Sequence, residues 1–214
     1  GTAVSENPGI ILGMLEKLAQ ERGLFSTQLR GSLAYDPVPV SKVVDWRYLA
    51  ELLEYAGAHF PQFKIIQVSI PESRSGADSA SDTMSPEQRS SILSGLIRNA
   101  NIYLQKLSER SIPVKDVAAA MQFSIPIGKS YFVEIARLRA LKLLWLNVLK
   151  AWDAPLQGPF IATSFQPDAY AEDMYTNMIR STTIAMSAVQ GGVARLTVIP
   201  YYAGREELAS YPQA

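Results

Sequence analysis

The stretch AAAMQFSIPIGKSYFVEIARLRALKLLWLNVLKAW, residues 118–152, decides the fold class of this chain. Its first eight residues form a mostly apolar run of strand length that ends at a proline. Apolar side chains then recur at the spacing of one helix face across residues 131–150: Ile135, Leu138, Leu141 and Trp145. The stretch therefore predicts a buried strand at 118–125 followed by a long helix.

The same alternation of strand and helix continues on both sides of this stretch. Mostly apolar short runs predict four more strands, at 29–35, 64–70, 159–165 and 194–200. Helical spacing predicts further helices at 10–22, 46–60, 86 to about 110, and 171–189. The Ser85-Pro86-Glu87 sequence favours a helix start, because serine caps, proline suits the first position and glutamate complements the helix dipole.

Five strands that alternate with helices, each strand mostly apolar, are typical of a parallel sheet covered by helices. The fold class is therefore α/β. Two architectures fit this pattern equally well: an open doubly wound sheet and a segment of a (β/α)₈ barrel. Periodicity alone leaves both open.

Composition excludes several classes of function. Twenty basic and twenty acidic side chains cancel, so no bulk field attracts nucleic acid or a membrane surface. The apolar segment 131–149 carries four charges, which argues against a transmembrane helix, and residues 1–7 do not resemble a secretory signal. The absence of cysteine excludes disulfides and thiolate metal sites and fits a reducing compartment. We expect a water-soluble cytoplasmic protein without a metal site.

The sequence contains few groups that could perform acid, base or nucleophilic chemistry. No glycine-rich phosphate loop follows the first predicted strand. The only histidine, His59, lies at the end of a predicted helix, where a surface or capping role is the ordinary interpretation. A Ser-His-Asp triad would need His59, which lies at the opposite end of the strands from the usual site.

The carboxyl ends of the predicted strands carry a mildly polar set of residues: Tyr35, Asp36, Ser69, Ser73, Pro126, Ser164, Gln166, Asp168, Tyr201 and Tyr202. Asp36 and Asp168 are candidates for an acid pair, although aspartates at the start of loops are usually turn and cap residues. The set contains hydroxyls and few charges, so it predicts no catalytic residue.

Four segments resemble the methylmalonyl-CoA mutase family. Residues 118–152 share with it Ile127-Gly128, Phe132, Glu134, Leu138-Arg139-Ala140 and Leu144-Trp145. The segments YTNMIRSTTIAMSAVQGG (175–192), FPQFKIIQVSI (60–70, followed by SGADS at 75–79) and LRGSLAYDP (29–37) are similar to corresponding parts of the family. The order and spacing agree from about residue 8 to the end.

This resemblance implies a (β/α)₈ barrel, of which residues 1–214 would form strands four to eight. It also implies that the family's cobalamin-binding domain is absent from these residues. In the family the barrel encloses an acyl-CoA along its axis, and adenosylcobalamin supplies radicals that isomerise methylmalonyl-CoA and succinyl-CoA. The resemblance thus implies an isomerase.

Several of the family's substrate-binding positions have lost their polar group here. The strand-four glutamine falls on Ala34, the histidine after strand five on Pro71, and the strand-seven arginine on Ala162. A nearby histidine falls on Ser164, and a glutamine before strand eight falls on Ala194. The family's strand-four arginine has no clear counterpart around residues 37–44. Losing one preorganised carbonyl donor costs on the order of 3 kcal/mol in a transition state.

These substitutions predict the small, non-catalytic subunit of such a mutase, which pairs with a catalytic large subunit and binds no cobalamin itself. The alternative is a re-specialised mutase acting on another acyl-CoA. In either case the candidate substrate-binding residues, vestigial in the first case, are Ser32, Tyr35, Ser69, Ser73, Ser164 and Gln166. Because five βα units cannot close a barrel, we also expect the chain to self-associate or to cover its sheet edges.

Overall fold

The computed structural model describes residues 7–41, 43–70, 85–166, 169–171 and 173–202. Its helices are α1 (Pro8–Glu21), α2 (Trp46–His59), α3 (Pro86–Ser108), α4 (Val114–Ala120), α5 (Tyr131–Ala151) and α6 (Met174–Gly191). Its strands are β1 (Gly31–Tyr35), β2 (Phe63–Val68), β3 (Met121–Ser124), β4 (Ile161–Ser164) and β5 (Arg195–Thr197). All five predicted strands and all five predicted helices are present.

The five strands form one parallel sheet in the order β1-β2-β3-β4-β5. Each strand pairs with the next one along the chain, so the order has none of the reversal that defines a doubly wound sheet. The sheet is also curled. The Arg195 guanidinium on β5 donates a hydrogen bond to the Ser32 hydroxyl on β1, and these two outermost strands could not be in contact in a flat sheet. The observed fold is therefore a curled half-barrel, which confirms the barrel-like interpretation.

One boundary predicted from the sequence is wrong. Residues 118–120 were assigned to the third strand, whereas they form the last turn of α4, which the sequence did not reveal. Three consecutive alanines have the highest helix propensity, and the Met121 amide donates to the Ala118 carbonyl to end the helix. The strand therefore begins only at Met121.

Local capping explains where the longer helices start and stop. Ser85 caps α3, as predicted, and it also forms a reciprocal capping box with Gln88, which the sequence analysis did not identify. Asp45 and Asp173 cap α2 and α6 by accepting from backbone amides. Gly192 ends α6 in the left-handed conformation, with a φ of 72°, which a residue with a side chain rarely adopts.

The core lies between the sheet and the helices. Phe123 on β3 packs edge-to-face on Trp145 of α5, with 5.1 Å between ring centroids, and both rings are buried. Leu104 and Leu107 of α3 are also fully buried in this core. Among the described residues, none of the helices combines the length and apolarity needed to cross a membrane.

Candidate functional site: the concave face and the strand ends

A chain of hydrogen bonds crosses the concave face of the sheet. Arg195 donates through Nη1 to Ser32 Oγ and through Nη2 to Gln122 Oε1, the latter at 3.3 Å. Gln122 Nε2 in turn donates to Gln67 Oε1 at 3.2 Å. Gln122 is fully buried, whereas Arg195 remains exposed. The four side chains connect β5, β1, β3 and β2, and we call them the polar bridge.

Asp36 organises the carboxyl ends of β1 and β2. Its Oδ2 accepts from the Ser69 amide at 2.7 Å and the Ser69 hydroxyl at 2.6 Å, and its Oδ1 accepts from the Tyr103 hydroxyl at 2.7 Å. Asn99 Nδ2 donates to the Ser69 carbonyl at 3.0 Å. Burial of the carboxyl raises the pKa of Asp36 to about 6, although hydrogen bonds from Ser69 and Tyr103 oppose the shift. Asp36 thus joins two strands and α3.

A buried ion pair lies where β3 leads into α5. Arg137 Nε donates to Glu134 Oε2 at 3.0 Å, and both residues are at least 96% buried. Arg137 Nη2 also donates to Glu134 Oε2 and to the Pro126 carbonyl oxygen. The helical spacing of Glu134 and Arg137 allows such a pair, which would contribute little if exposed; its burial makes it a structural link between the α5 helix and the end of β3.

The carboxyl end of β4 is held by backbone contacts. The Ile127 amide donates to the Ser164 carbonyl at 2.9 Å, and the Gln166 amide donates to the Ile127 carbonyl at 2.9 Å. A Cβ atom on Gly128 would lie 2.5 Å from Gln166 Oε1, so the glycine allows the Gln166 side chain to approach the turn.

The structure does not gather the predicted site residues into one cluster. Ser32 lies near the start of β1 in the polar bridge, whereas Tyr35 ends that strand and is half-buried, which raises the pKa of its hydroxyl. The Ser69 hydroxyl is engaged by Asp36, and Ser164 is exposed at the end of β4. Ser73 and Pro71 lie outside the described residues.

The predicted acid pair of Asp36 and Asp168 remains a prediction, because Asp168 lies outside the described residues. The interpretation of Asp36 as a turn or cap residue is wrong. Its carboxylate is buried and binds a serine from the neighbouring strand and a tyrosine from a helix, instead of its own loop. A single aspartate before a proline carries no sequence signal that distinguishes these roles.

The sequence interpretation missed Arg195, Gln122 and Gln67 as site residues. A signal was present, because each interrupts an otherwise apolar strand with a long polar side chain. Such a residue in a buried parallel strand must find a partner, and the partners here lie on other strands. Pairing across the concave face is visible only once the sheet is curled.

The described residues contain few side chains of the kinds that ligate metal ions. No group of three or more histidine, aspartate or glutamate side chains is placed to hold a metal ion in this part of the chain. The only histidine, His59, ends α2, stacks on Tyr55 and lies 2.9 Å from Glu16 Oε1 through its Nδ1. Its ring therefore packs between α1 and α2, at the opposite end from the carboxyl ends of the strands.

Comparison with known proteins decides the family. The model of the family described as methylmalonyl-CoA mutase matches residues 3–202, nearly the whole chain. The chain belongs to the methylmalonyl-CoA mutase family. The resemblance seen in residues 118–152 and in the glycine-ended helix α6 is thereby confirmed.

Relatives within the methylmalonyl-CoA mutase family include proteins named as small and large subunits and others named without a subunit type. A methylmalonyl-CoA mutase of Cereibacter sphaeroides is 26% identical over 89% of this chain, which covers 26% of that protein. The small subunit from Streptomyces virginiae is 26% identical over 87% of this chain and 30% of its own length. The large subunit from the same organism is 26% identical over 82% of this chain and 23% of its own length. The chain therefore spans about a quarter to a third of these relatives, and identity alone does not distinguish subunit types.

Proposed function

We propose that residues 1–214 supply strands four to eight of the substrate barrel of a methylmalonyl-CoA mutase subunit that does not itself catalyse. The observation that carries this proposal is the replacement of the family's substrate-binding side chains by alanine at Ala34, Ala162 and Ala194 and by a shorter serine at Ser164. Ala34 and Ala162 are each 5% exposed and have only a methyl group to offer a ligand. Several lost donors, each contributing on the order of 3 kcal/mol, account for a silent site.

The remaining hydroxyls do not replace the lost groups. The Ser69 hydroxyl donates to Asp36, so binding a substrate carbonyl would leave a buried carboxylate with one hydrogen bond fewer. Ser32 accepts from Arg195 near the amino end of β1, away from the carboxyl ends where barrel chemistry is concentrated. We regard Ser32, Tyr35, Ser69, Ser73, Ser164 and Gln166 as remnants of a substrate site.

The function of such a chain is to pair with a catalytic large subunit. Streptomyces virginiae contains related small and large subunits, and both are similar to this chain. Adenosylcobalamin then belongs to the complex and binds to the partner. This assignment agrees with a donor set in which the only histidine is engaged between two helices.

Co-purification tests the pairing. The polypeptide that carries this sequence is expressed with the catalytic large subunit of the same organism and analysed by size-exclusion chromatography with mass measurement. We expect a one-to-one complex with mutase activity and one equivalent of bound cobalamin. Separate elution of the two chains, or two equivalents of cobalamin per pair, contradicts the proposal.

A second candidate function is a mutase re-specialised for another acyl-CoA, and one observation favours it. Arg195 on β5 lies directly opposite Ala162 in the strand register, so a guanidinium is present one strand away from the lost arginine. If Arg195 binds the acyl group, replacing it with alanine abolishes turnover of the preferred acyl-CoA ester. Absence of turnover with every ester tested excludes this candidate.

A further inference from the structure

The contact between Arg195 and Ser32 joins the two outermost strands of the sheet. In a flat sheet β1 and β5 would be separated by four strand spacings, about 19 Å, which no single arginine side chain spans. The hydrogen bond therefore runs as a chord across the concave side of the half-barrel. The guanidinium occupies the hollow itself.

Other members of the polar bridge extend this chord to the middle strands. Gln122 uses both ends of its amide: Oε1 accepts from Arg195, and Nε2 donates to Gln67. The small side chain of Ala162, opposite Arg195 in the register, leaves the guanidinium room to pass β4. The bridge therefore obstructs the concave face from one edge of the sheet to the other.

Lys64 makes a second crossing at the same end of the sheet. It is paired in register with Ser32, and its ammonium group donates to the Ala119 carbonyl and lies 5.5 Å from the centre of the Phe160 ring. Burial lowers the pKa of Lys64. Two long cationic side chains, one from β5 and one from β2, thus cross the hollow near the amino ends of the strands.

We propose that Arg195 closes the concave face of this chain to ligands, so that an acyl-CoA cannot occupy the hollow unless the Arg195–Ser32 contact breaks. This inference rests on the proposed function, since it identifies what excludes the acyl-CoA class from the silent site. The acceptors that hold Arg195 among the described residues are neutral side chains, Ser32 Oγ and Gln122 Oε1, so removing Arg195 leaves no carboxylate of this part of the chain without its counter-charge.

The test is the binding of methylmalonyl-CoA, measured by isothermal titration calorimetry, to the wild-type polypeptide and to Arg195→Ala. If the ligand binds only to open molecules, the apparent Kd equals the intrinsic Kd divided by the open fraction. An open fraction of a tenth or less in the wild type therefore predicts binding at least ~10-fold tighter in the variant. Simple electrostatics predicts the opposite sign, because the ligand is an anion and the variant loses a positive charge.

Arg30→Ala is the matched control. Arg30 lies immediately before β1, is also held by a neutral acceptor, Gln62 Oε1 at 2.6 Å, and does not reach β5. We expect no gain in affinity when it is replaced. If Arg195→Ala binds methylmalonyl-CoA no more tightly than Arg30→Ala does, the closure is overturned.

Ser32→Ala provides a second variant that keeps the charge, in case Arg195→Ala fails to fold by circular dichroism. This variant removes the hydroxyl that accepts from Arg195 and so releases the guanidinium from β1. Tighter binding of methylmalonyl-CoA than in the wild type supports closure, and unchanged binding overturns it. Isomerisation by the wild-type polypeptide would instead contradict the proposed function, whatever the binding series shows. The failures of the two proposals are thus distinguishable.

Discussion

Asp36 and the Glu134–Arg137 pair are buried polar side chains close to the carboxyl ends of strands. Asp36 has three hydrogen-bond donors directed at it, yet desolvation outweighs them and its pKa rises. Glu134 and Arg137 remain together within one helix turn, and Arg137 also binds the carbonyl of Pro126. Both features stabilise the loops that follow parallel strands, which is where this fold would place a site.

Asp36 makes stability depend on pH. Because its pKa rises from 3.8 unfolded to about 6 folded, the folded state holds the proton more tightly. Its contribution is therefore most favourable below about pH 4 and is lost as the pH rises through about 6, by roughly 3 kcal/mol in total. We expect Asp36→Asn to remove this dependence. Urea unfolding at pH 4 and pH 7 measures the free energy of unfolding of both proteins. An equal change in that free energy between the two pH values for wild type and variant would contradict the account.

Replacing Glu134 with alanine leaves the buried Arg137 charge without its partner. We expect the free energy of unfolding to fall by about 3–5 kcal/mol, because an uncompensated buried charge is costly. Glu51→Ala is the control: its pair with Arg47 is exposed, so its loss costs below about 1 kcal/mol. Denaturant unfolding of both variants measures the difference. An equal decrease in the free energy of unfolding in the two variants would show that the Glu134–Arg137 pair stabilises the protein no more than an exposed pair does.

The residue-scale chemistry could be predicted from the sequence only in part. The lost donors at Ala34 and Ala162 are visible by resemblance, because they are single positions within matching segments. The hydrogen-bond partners of Asp36 and Arg195 could not be predicted. Asp36 and Ser69 are 33 positions apart in the sequence, and Arg195 and Ser32 are 163 positions apart, so neither pair leaves a local pattern. Strand pairing brings Asp36 to Ser69, and curvature of the sheet, which no periodicity encodes, brings Arg195 to Ser32.

At the scale of elements, the packing of α5 on α6 depends on a glycine. A Cβ atom on Gly191 would lie 2.9 Å from Leu138 Cβ, closer than real Cβ contacts allow. The two helices therefore approach at a point where one of them has no side chain. Gly191 and Gly192 act differently: the first permits contact, and the second ends the helix with a positive φ.

Gly191→Ala and Gly13→Ala should have opposite effects on stability. The added methyl at position 191 forces α5 and α6 apart at Leu138, which we expect to cost about 1–3 kcal/mol. Gly13 lies on the exposed side of α1 with nothing within 4 Å of an added Cβ, so alanine should stabilise by about 0.5–1 kcal/mol. Thermal unfolding measures both, and the same sign in both variants would refute the packing argument.

Element positions were the most predictable feature of this chain. Long helices such as α3 and α5 have repeated apolar spacing, and α3 also has a clear start signal, so their existence follows from the sequence. The short helix α4 was missed, because seven residues give too few turns for a periodic pattern and its alanines continue directly into an apolar strand. Only the change from alanines to larger apolar residues marks the point where the helix ends and the strand begins.

At the scale of the whole molecule, the half-barrel leaves two sheet edges without a strand partner among the described residues: the outer sides of β1 and β5. Exposed apolar residues accompany the β5 edge, including Ile179 and Val189 on α6, each 68% exposed, and Val198. Open edges and contiguous apolar surface are sites of association. Sequence patterning predicted the parallel layers, whereas family resemblance was needed to decide that they belong to a barrel.

We therefore expect the 214-residue chain expressed alone to self-associate at micromolar concentration. Ile179→Lys combined with Val189→Lys should shift it towards monomer, because charge on that face opposes its burial. Sedimentation velocity measures the distribution. A monodisperse wild-type monomer would contradict this expectation, as would a wild-type assembly that the double lysine variant leaves unchanged.

The most direct measurement of the central claim is the turnover of methylmalonyl-CoA by the purified polypeptide that carries this sequence, supplied with adenosylcobalamin and assayed without its partner. A silent barrel predicts no formation of succinyl-CoA by this polypeptide, while its one-to-one complex with the catalytic large subunit is active under the same conditions. Isomerisation by the polypeptide alone would contradict the account and establish it as a catalytic chain.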